Sequence, residues 1–278
     1  MAMIERRNPI GRFFLWLFLI SLALLCILPF YMMIINATRS NVEISQGVYL
    51  LPGEYLKRNY EIVQNKVDIW RGFLGSVIIA VPSVVLSAFF STLTAYGFAK
   101  FNFKGKEAFF WIILGTMMVP LQLGLIGYYD LCIKLGIINT YWPLILPTAA
   151  NAAMVFFVRA YIESSIPDSL VEAGIIDGAG EMFIFWRLIF PLAMPAVATM
   201  SIFTFINKWN DLINPLVLLN SAEKFPMPVV ISNIRGLYES NFGAIYLGVT
   251  ISVVPIIIVV AVFSKSLIRG LTIGAVKG

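Results

Sequence analysis

Long runs of apolar residues, separated by polar stretches, recur from one end of this chain to the other. Each run is close to the about 20 residues that an α-helix needs to cross the hydrocarbon core of a bilayer. The pattern predicts six membrane-spanning helices, at about residues 13–35, 73–98, 109–130, 142–160, 188–206 and 243–263.

Composition agrees with a membrane protein. Hydrophobic residues make up 59% of the 278 positions and charged residues 13%, with a mean hydropathy of +0.87. Soluble domains are about 45–50% apolar and about 25% charged. We therefore expect an all-α integral membrane protein forming one domain over residues 1–278. Its formal charge of +5 is expected to reflect cytoplasmic loops rather than nucleic acid binding.

The first apolar run follows Arg6, Arg7 and Arg12, so a cleaved signal peptide is the alternative to a retained helix. The run is longer than a signal-peptide core, and no small-residue cleavage site follows it. We expect a retained membrane anchor, with Pro29 tolerated inside it.

Basic residues predict the orientation. The second gap between spans carries Lys100, Lys104 and Lys106, whereas the third carries Lys134 alone. With six spans, the second gap lies on the same side as the basic residues near both chain ends. The positive-inside tendency makes this side cytoplasmic. Both termini are then cytoplasmic, and the gaps that face outward are 36–71, 131–141 and 207–242.

The cytoplasmic loop 161–187 is too long and too apolar for a plain membrane turn. Ser165 followed by Pro167 and Asp168 is a typical helix start. Gly178 is a natural helix end, because glycine adopts the left-handed conformation without penalty. The spacing predicts a helix of at most about three turns between them.

One face of that helix carries small residues that would let another surface approach its backbone; the face comprises Leu170, Ala173, Gly174 and Asp177. A second short helix, from Met182 to Trp186, is expected to lie along the membrane surface. The loop is therefore either a docking element or an interfacial hairpin without a partner.

Several chemistries find no support in the sequence. There is no histidine, the two cysteines have no partner at zinc-like spacing, and no carboxylate lies near the middle of a span. We expect no metal site and no enzymatic activity. The chain also lacks the lysine motif of ATPases, so energy must come from a partner. An autonomous secondary carrier is the alternative, and it would transport in liposomes without ATP.

Polar residues within or beside the spans are candidates for a substrate path. Most Ser and Thr residues are expected to pack helices together, whereas amides seek partners in a dry environment. Amides and aromatic rings also suit sugars. The candidates are Gln122, Tyr128, Asn151, Trp209 and Asn210.

The loop resembles the EAA loop of the transmembrane subunits of ABC importers. That pattern is Glu-Ala-Ala, three residues, Gly, nine residues, Ile, one residue and Leu-Pro, and its spacing is kept here. The residues retained are Glu172, Ala173, Gly178 and Pro191. Gly, Leu and Phe replace the second Ala, the Ile and the Leu, at Gly174, Leu188 and Phe190.

Further segments resemble the maltose-type, carbohydrate-importing branch, and the last of them is similar to the tail of its shorter permease subunit. They are Asp177-Gly178-Ala179, Pro195, and residues 94–99, 209–211 and 270–278. This resemblance implies a type I ABC importer fold with a cytoplasmic tail at 264–278. It also implies a permease subunit for a sugar or oligosaccharide; the alternative is a permease for peptides or amino acids.

The resemblance implies partners as well. These are a second homologous permease, two copies of a cytoplasmic ATPase that binds ATP and Mg, an extracytoplasmic solute-binding protein, and the lipid of a bacterial or archaeal cell membrane. No cofactor is expected in this chain. The ATPase-coupling residues would be Glu172, Ala173, Gly174, Asp177 and Gly178. The binding-protein contacts would be Ser232, Asn233, Ile234 and Arg235, unless this stretch is only a connecting loop.

Overall fold

The computed structural model describes residues 9–234 and 241–275, and every regular element within them is helical. The all-α prediction is confirmed for these residues. In chain order the α-helices are α1 (Pro9–Ala37), α2 (Asn41–Gln46), α3 (Leu56–Lys66), α4 (Ile69–Lys100), α5 (Lys106–Thr116), α6 (Leu125–Lys134), α7 (Trp142–Ile145), α8 (Ala152–Ser165), α9 (Asp168–Ile176), α10 (Glu181–Ile184), α11 (Phe190–Trp209), α12 (Ile213–Leu218), α13 (Met227–Ile234) and α14 (Phe242–Ala275).

Within the described part of the chain, five helical stretches are long and apolar enough to cross a membrane. They are Ile10–Ala37, Ile69–Lys100, Trp142–Ser165, Glu181–Trp209 and Phe242–Ser264. These stretches contain the first, second, fourth, fifth and sixth predicted spans. A 3₁₀ turn at Leu146–Ala150 joins α7 to α8, and a π turn at Phe185–Ile189 joins α10 to α11.

The third predicted span, residues 109–130, is not one continuous helix. It comprises α5 and α6, separated by a non-helical stretch and a 3₁₀ turn at Leu121–Gly124. Pro120 lies at the break in an extended conformation, with φ −61° and ψ 121°. Proline lacks an amide hydrogen, and its ring disfavours a helical conformation at Val119, the residue before it. The third predicted span is therefore a broken helix.

The described residues form two compact units. The first comprises residues 9–68, 231–234 and 241–251, and the second comprises residues 69–230 and 252–275. In the first unit, Gly243 near the start of α14 lies against the turn that follows α1. A Cβ atom at position 243 would overlap the Arg39 carbonyl oxygen and lie 2.5 Å from Asn59 Nδ2. The Asn59 amide in turn donates to the Ala37 and Arg39 carbonyls, both at 2.9 Å. Only glycine permits this close approach.

In the second unit, α4 packs against α8 and α11. The buried positions of α4 are dominated by small residues, which allow helix backbones to approach closely in membranes. They include Gly72, Gly75, Ser76, Ala80, Ser83, Ser87, Ser91 and Ala95. An apolar cluster packs against the C-terminal part of α4. It is built around Met154, Val158, Ile162, Phe185 and Ile189. This core supports both helices from which the loop 161–187 emerges.

Candidate functional site

The loop 161–187 contains α9, and the start of this helix differs from the prediction. Ser165 belongs to the last turn of α8, and Pro167 occupies the N-cap position of α9. Ile166 is extended, with φ −116° and ψ 107°, as expected for a residue that precedes proline. The conformation imposed by proline, rather than a serine cap, separates the two helices.

The end of α9 is a glycine-based cap. Gly178 has φ +77°, in the left-handed region. The Gly178 amide donates to the Ile175 carbonyl at 3.0 Å, and the Ala179 amide donates to the Gly174 carbonyl at 2.9 Å. These bonds satisfy carbonyls that the end of the helix leaves without partners.

The residues predicted to couple to an ATPase do not share one environment. Glu172, Ala173, Asp177 and Gly178 are exposed, whereas Gly174 is buried. A Cβ atom at position 174 would lie 3.2 Å from Ile184 Cγ1, so this chain itself occupies the small-residue surface at Gly174. The coupling role of Gly174 stays a prediction.

The exposed surface of α9 also carries apolar residues that sequence reasoning did not single out. Ile176 is 84% exposed and Ile175 is 53% exposed. They follow Glu172 by four and three residues, so a helical projection that starts at Glu172 would have found them. An exposed carboxylate beside exposed isoleucines is suited to docking rather than to chemistry.

The exit of the loop corrects a second expectation. Met182 to Trp186 is not a separate short helix, because it lies at the beginning of the continuous helical stretch Glu181–Trp209. Ile184 and Phe185 are fully buried. The Phe185 ring packs edge-on against Phe89 of α4, with ring centroids 6.1 Å apart. Packing of Ile184 and Phe185 against the core fixes the position of this segment.

The start of α9 is also bound to α4. Lys100 Nζ donates to the Ile166 carbonyl and to Asp168 Oδ1, each at 2.5 Å. The Lys100 side chain is 4% exposed and that of Asp168 is 79% exposed. The Lys100 hydrogen bond lowers the pKa of the Asp168 carboxyl from its usual 3.8.

Among the substrate-path candidates, Asn151 caps the start of α8. Its Oδ1 accepts from the Met154 amide at 3.1 Å. Its Nδ2 donates to Ser87 Oγ at 3.0 Å and to Thr204 Oγ1 at 3.2 Å. The Asn151 side chain therefore connects the three helices α8, α4 and α11.

The other four candidates have separate surroundings. Gln122 and Asn210 are exposed. Tyr128 is half-buried and donates to the Pro143 carbonyl at 2.7 Å. Trp209 is 1% exposed, and its Nε1 donates to the Ser252 carbonyl at 2.9 Å. The burial of Trp209 gives no support to contact between its ring and a solute.

The binding-protein candidates fall at the end of α13. Ser232 is half-buried, Asn233 is exposed and Ile234 is buried, while Arg235 lies outside the described residues. Residues 227–234 are thus helical rather than an irregular connection. Residues 276–278 at the end of the predicted tail also lie outside the described residues.

The five long apolar helical stretches in the described residues define a multi-pass membrane protein. Residues 63–273 match the family described as the inner membrane component of binding-protein-dependent transport systems. This match covers more than half of the chain, so the protein belongs to that family. Its role is transport, and the loop that resembles the EAA pattern lies within the matched region.

Two curated relatives are similar over nearly the whole chain. One is the arabinooligosaccharides transport system permease protein AraQ of Halalkalibacterium halodurans, 32% identical over 278 residues, with 99% of each chain covered. Another is the lactose transport system permease protein LacG of Rhizobium radiobacter, 29% identical with 92% of each chain covered.

A solved structure is similar in fold. It is a crystal structure of a bacterial ABC transporter involved in the import of the acidic polysaccharide alginate. Its matching chain has a TM-score of 0.80 and 26% identity, covering 95% of this chain and 99% of that one. The predicted type I ABC importer fold is confirmed by this likeness.

Proposed function

We propose that this chain is the permease subunit of an ABC importer for a sugar or oligosaccharide and forms half of the translocation pathway. The observation that carries the proposal is full-length similarity to permeases named for oligosaccharide transport. The similar proteins named above give no support to the alternative of peptides or amino acids. Uptake assays with labelled oligosaccharides, peptides and amino acids test it: uptake of a sugar is expected, and uptake of a peptide instead would overturn it.

The proposed importer contains further subunits. The family description implies a solute-binding protein, and an importer of this class also requires an ATPase. We assign two ATPase copies, with ATP and Mg bound there, and a second homologous permease. The apolar residues of α1 between Ile10 and Tyr31 are exposed on all sides in the single chain, which leaves space for lipid or a second subunit around this helix. A helix that is apolar on every face requires cover from lipid or protein.

Coupling to the ATPase is assigned to the exposed surface of α9, through Glu172, Ala173 and Asp177 together with Ile176. Glu172→Ala is expected to lower ATP-driven uptake while normal amounts of protein reach the membrane. Gly178→Asp is expected to act in the same direction by disturbing the end of the helix. Glu54→Ala, at an exposed glutamate far from the loop in sequence, is the control. Unchanged uptake in the Glu172 and Gly178 variants would remove the coupling role.

The proposed orientation places both termini and the loop 161–187 in the cytoplasm. It can be tested with single cysteines introduced as Glu172→Cys or Glu54→Cys, after Cys26 and Cys132 are replaced by alanine. A membrane-impermeant maleimide should label Cys at position 54 in intact cells and Cys at position 172 only after permeabilisation. The reverse result would invert the assigned topology.

A further inference from the structure

Both ends of the loop that contains α9 are bound to the last turn of the same helix, α4. The entry to the loop is bound by Lys100 and the exit by Tyr96. These two residues are four positions apart, so they project from the same side of α4. The two attachment points on α4 are thus neighbours, although the segments that they bind lie on opposite sides of α9 in the sequence.

The entry attachment combines a backbone and a side-chain acceptor. Lys100 donates to the Ile166 carbonyl, immediately before the N-cap of α9, and to Asp168 in its first turn. The Lys100 side chain is almost fully buried. A buried ammonium group requires both acceptors, because an unpaired charge away from water is unfavourable. Lys100 is therefore held to the first residues of the loop rather than free to move beside them.

The exit attachment is a hydrogen bond from a buried phenol to a carboxylate. Tyr96 is 3% exposed, and its hydroxyl donates to Glu181 Oε2 at 3.1 Å. The Tyr96 ring packs against Phe101 and Phe185, with centroids 5.2 Å and 6.0 Å away. Packing fixes the ring, so the hydroxyl has a defined position. Glu181 is the first residue of α10. The long helical stretch Glu181–Trp209, which follows α9, begins there.

We propose that Tyr96 and Lys100 are positioning residues that make the loop and α4 move as one body during transport. When an ATPase displaces α9, the two attachments transmit the displacement to α4. Without them, the loop moves at its ends while α4 stays behind, and ATP is hydrolysed without solute movement. This inference rests on the proposed function, in which α9 is the element that the ATPase moves.

The test uses the assembled transporter in liposomes, with binding protein and sugar, and measures solute imported per ATP hydrolysed. Tyr96→Phe removes only the hydroxyl, and Lys100→Met removes the charge while retaining most of the chain length. Each is expected to lower the ratio about tenfold, the equivalent of one hydrogen bond to a charged group. Lys100→Arg should restore much of the ratio, because a guanidinium retains several donors.

Two further variants avoid the buried residues. Asp168→Asn and Glu181→Gln change only exposed carboxylates, so they keep the core intact, and they should lower the ratio in the same direction. Matched controls are Lys104→Met, at an exposed lysine four residues after the end of α4, and Tyr129→Phe, at a tyrosine that packs against the separate apolar cluster containing Leu144 and Leu218. Both controls should keep the wild-type ratio.

The outcomes separate this proposal from the proposed function. If the wild-type complex shows no ATP-dependent sugar uptake, the proposed function fails. If the wild type transports but the Tyr96, Lys100, Asp168 and Glu181 variants keep its ratio, the positioning role is wrong. A parallel fall in uptake and hydrolysis at an unchanged ratio also overturns it, because the residues would then support assembly rather than coupling.

Discussion

The side-chain amide of Asn151 lies 3.2 Å from the hydroxyl of Thr204 and donates a hydrogen bond to it. This contact joins the beginning of α8 to α11. The 3₁₀ turn Leu146–Ala150 lies immediately before this position and separates α7 from α8. The Thr204 hydroxyl also donates to the Met200 carbonyl, at 3.0 Å. The 3₁₀ turn within the stretch Trp142–Ser165 is thus followed by an amide that bonds to α8 itself and to the neighbouring helices α4 and α11.

Asn151→Ala tests whether this amide is structural. The change leaves the Met154 amide without its side-chain acceptor and removes the donor to Ser87 and Thr204, so we expect a loss of about 1–3 kcal/mol. Thermal unfolding in detergent should show it as a lower transition temperature. Asn210→Ala, at an exposed amide, is the control and should leave the temperature unchanged. Loss of uptake at an unchanged transition temperature would instead indicate contact with the solute.

Hydrophobic patterning located the spans well but did not reveal the broken one. Hydropathy counts side chains, and residues 109–130 are apolar throughout. The break depends on the backbone at Pro120, whereas Pro29, Pro82 and Pro195 remain inside helices. Proline alone therefore does not determine a break. Hydropathy patterning does not distinguish Pro120 from the prolines that lie inside helices.

The loop shows a similar division between local and tertiary information. Gly178 was recognisable as a helix end because its conformation is a local property. The burial of Gly174 against Ile184 was not, since a helical projection identifies a face but not what covers it. From the sequence alone, Lys100 indicates only the orientation of the chain in the membrane. Its bond to the Ile166 carbonyl joins residues 66 positions apart, which no local pattern predicts.

Gly243→Ala should destabilise the first compact unit. The new methyl group would overlap the Arg39 carbonyl and the Asn59 amide, and the former is backbone that cannot rotate away. We expect a loss of about 3 kcal/mol, at the upper end of the range for overpacking. Gly97→Ala is the matched control inside α4, because nothing lies within 4 Å of its Cβ position. Its transition temperature should be equal or higher, and equal temperatures for both variants would contradict the prediction.

Gly178→Ala should destabilise α9 through the backbone alone. Nothing lies within 4 Å of the Cβ position, but the φ of +77° is unfavourable for alanine by about 1–2 kcal/mol. Gly178→Asn is the control, because asparagine adopts this conformation more readily. Hydrogen exchange of the amides in residues 168–178 should increase for alanine and much less for asparagine. Equal exchange in both variants would show that the left-handed turn is not required.

The ion pair between Lys100 and Asp168 should make stability depend on pH in a defined direction. The pKa of Asp168 is lowered in the folded protein, so the contribution is present above the usual pKa of 3.8 and is lost as the pH falls through the lower folded value. Lys106 acts on this carboxyl in the same direction as Lys100. The difference in transition temperature between wild type and Asp168→Asn should therefore be constant near neutral pH and shrink as the pH falls below 3.8. A difference that grows on acidification would contradict this.

Trp209→Phe separates a structural from a solute-binding role for the indole. Phenylalanine retains a ring beside Phe73 and Phe205, whose centroids lie 5.5 Å and 5.4 Å from the Trp209 ring. It loses the hydrogen bond to the Ser252 carbonyl, so we expect a loss of about 0.5–1.5 kcal/mol. Thermal unfolding measures this loss, with Trp142→Phe as the control because that ring is exposed. If Trp209→Phe unfolded at the wild-type temperature but its apparent affinity for imported sugar fell, the indole would contact the solute in another conformation of the transporter.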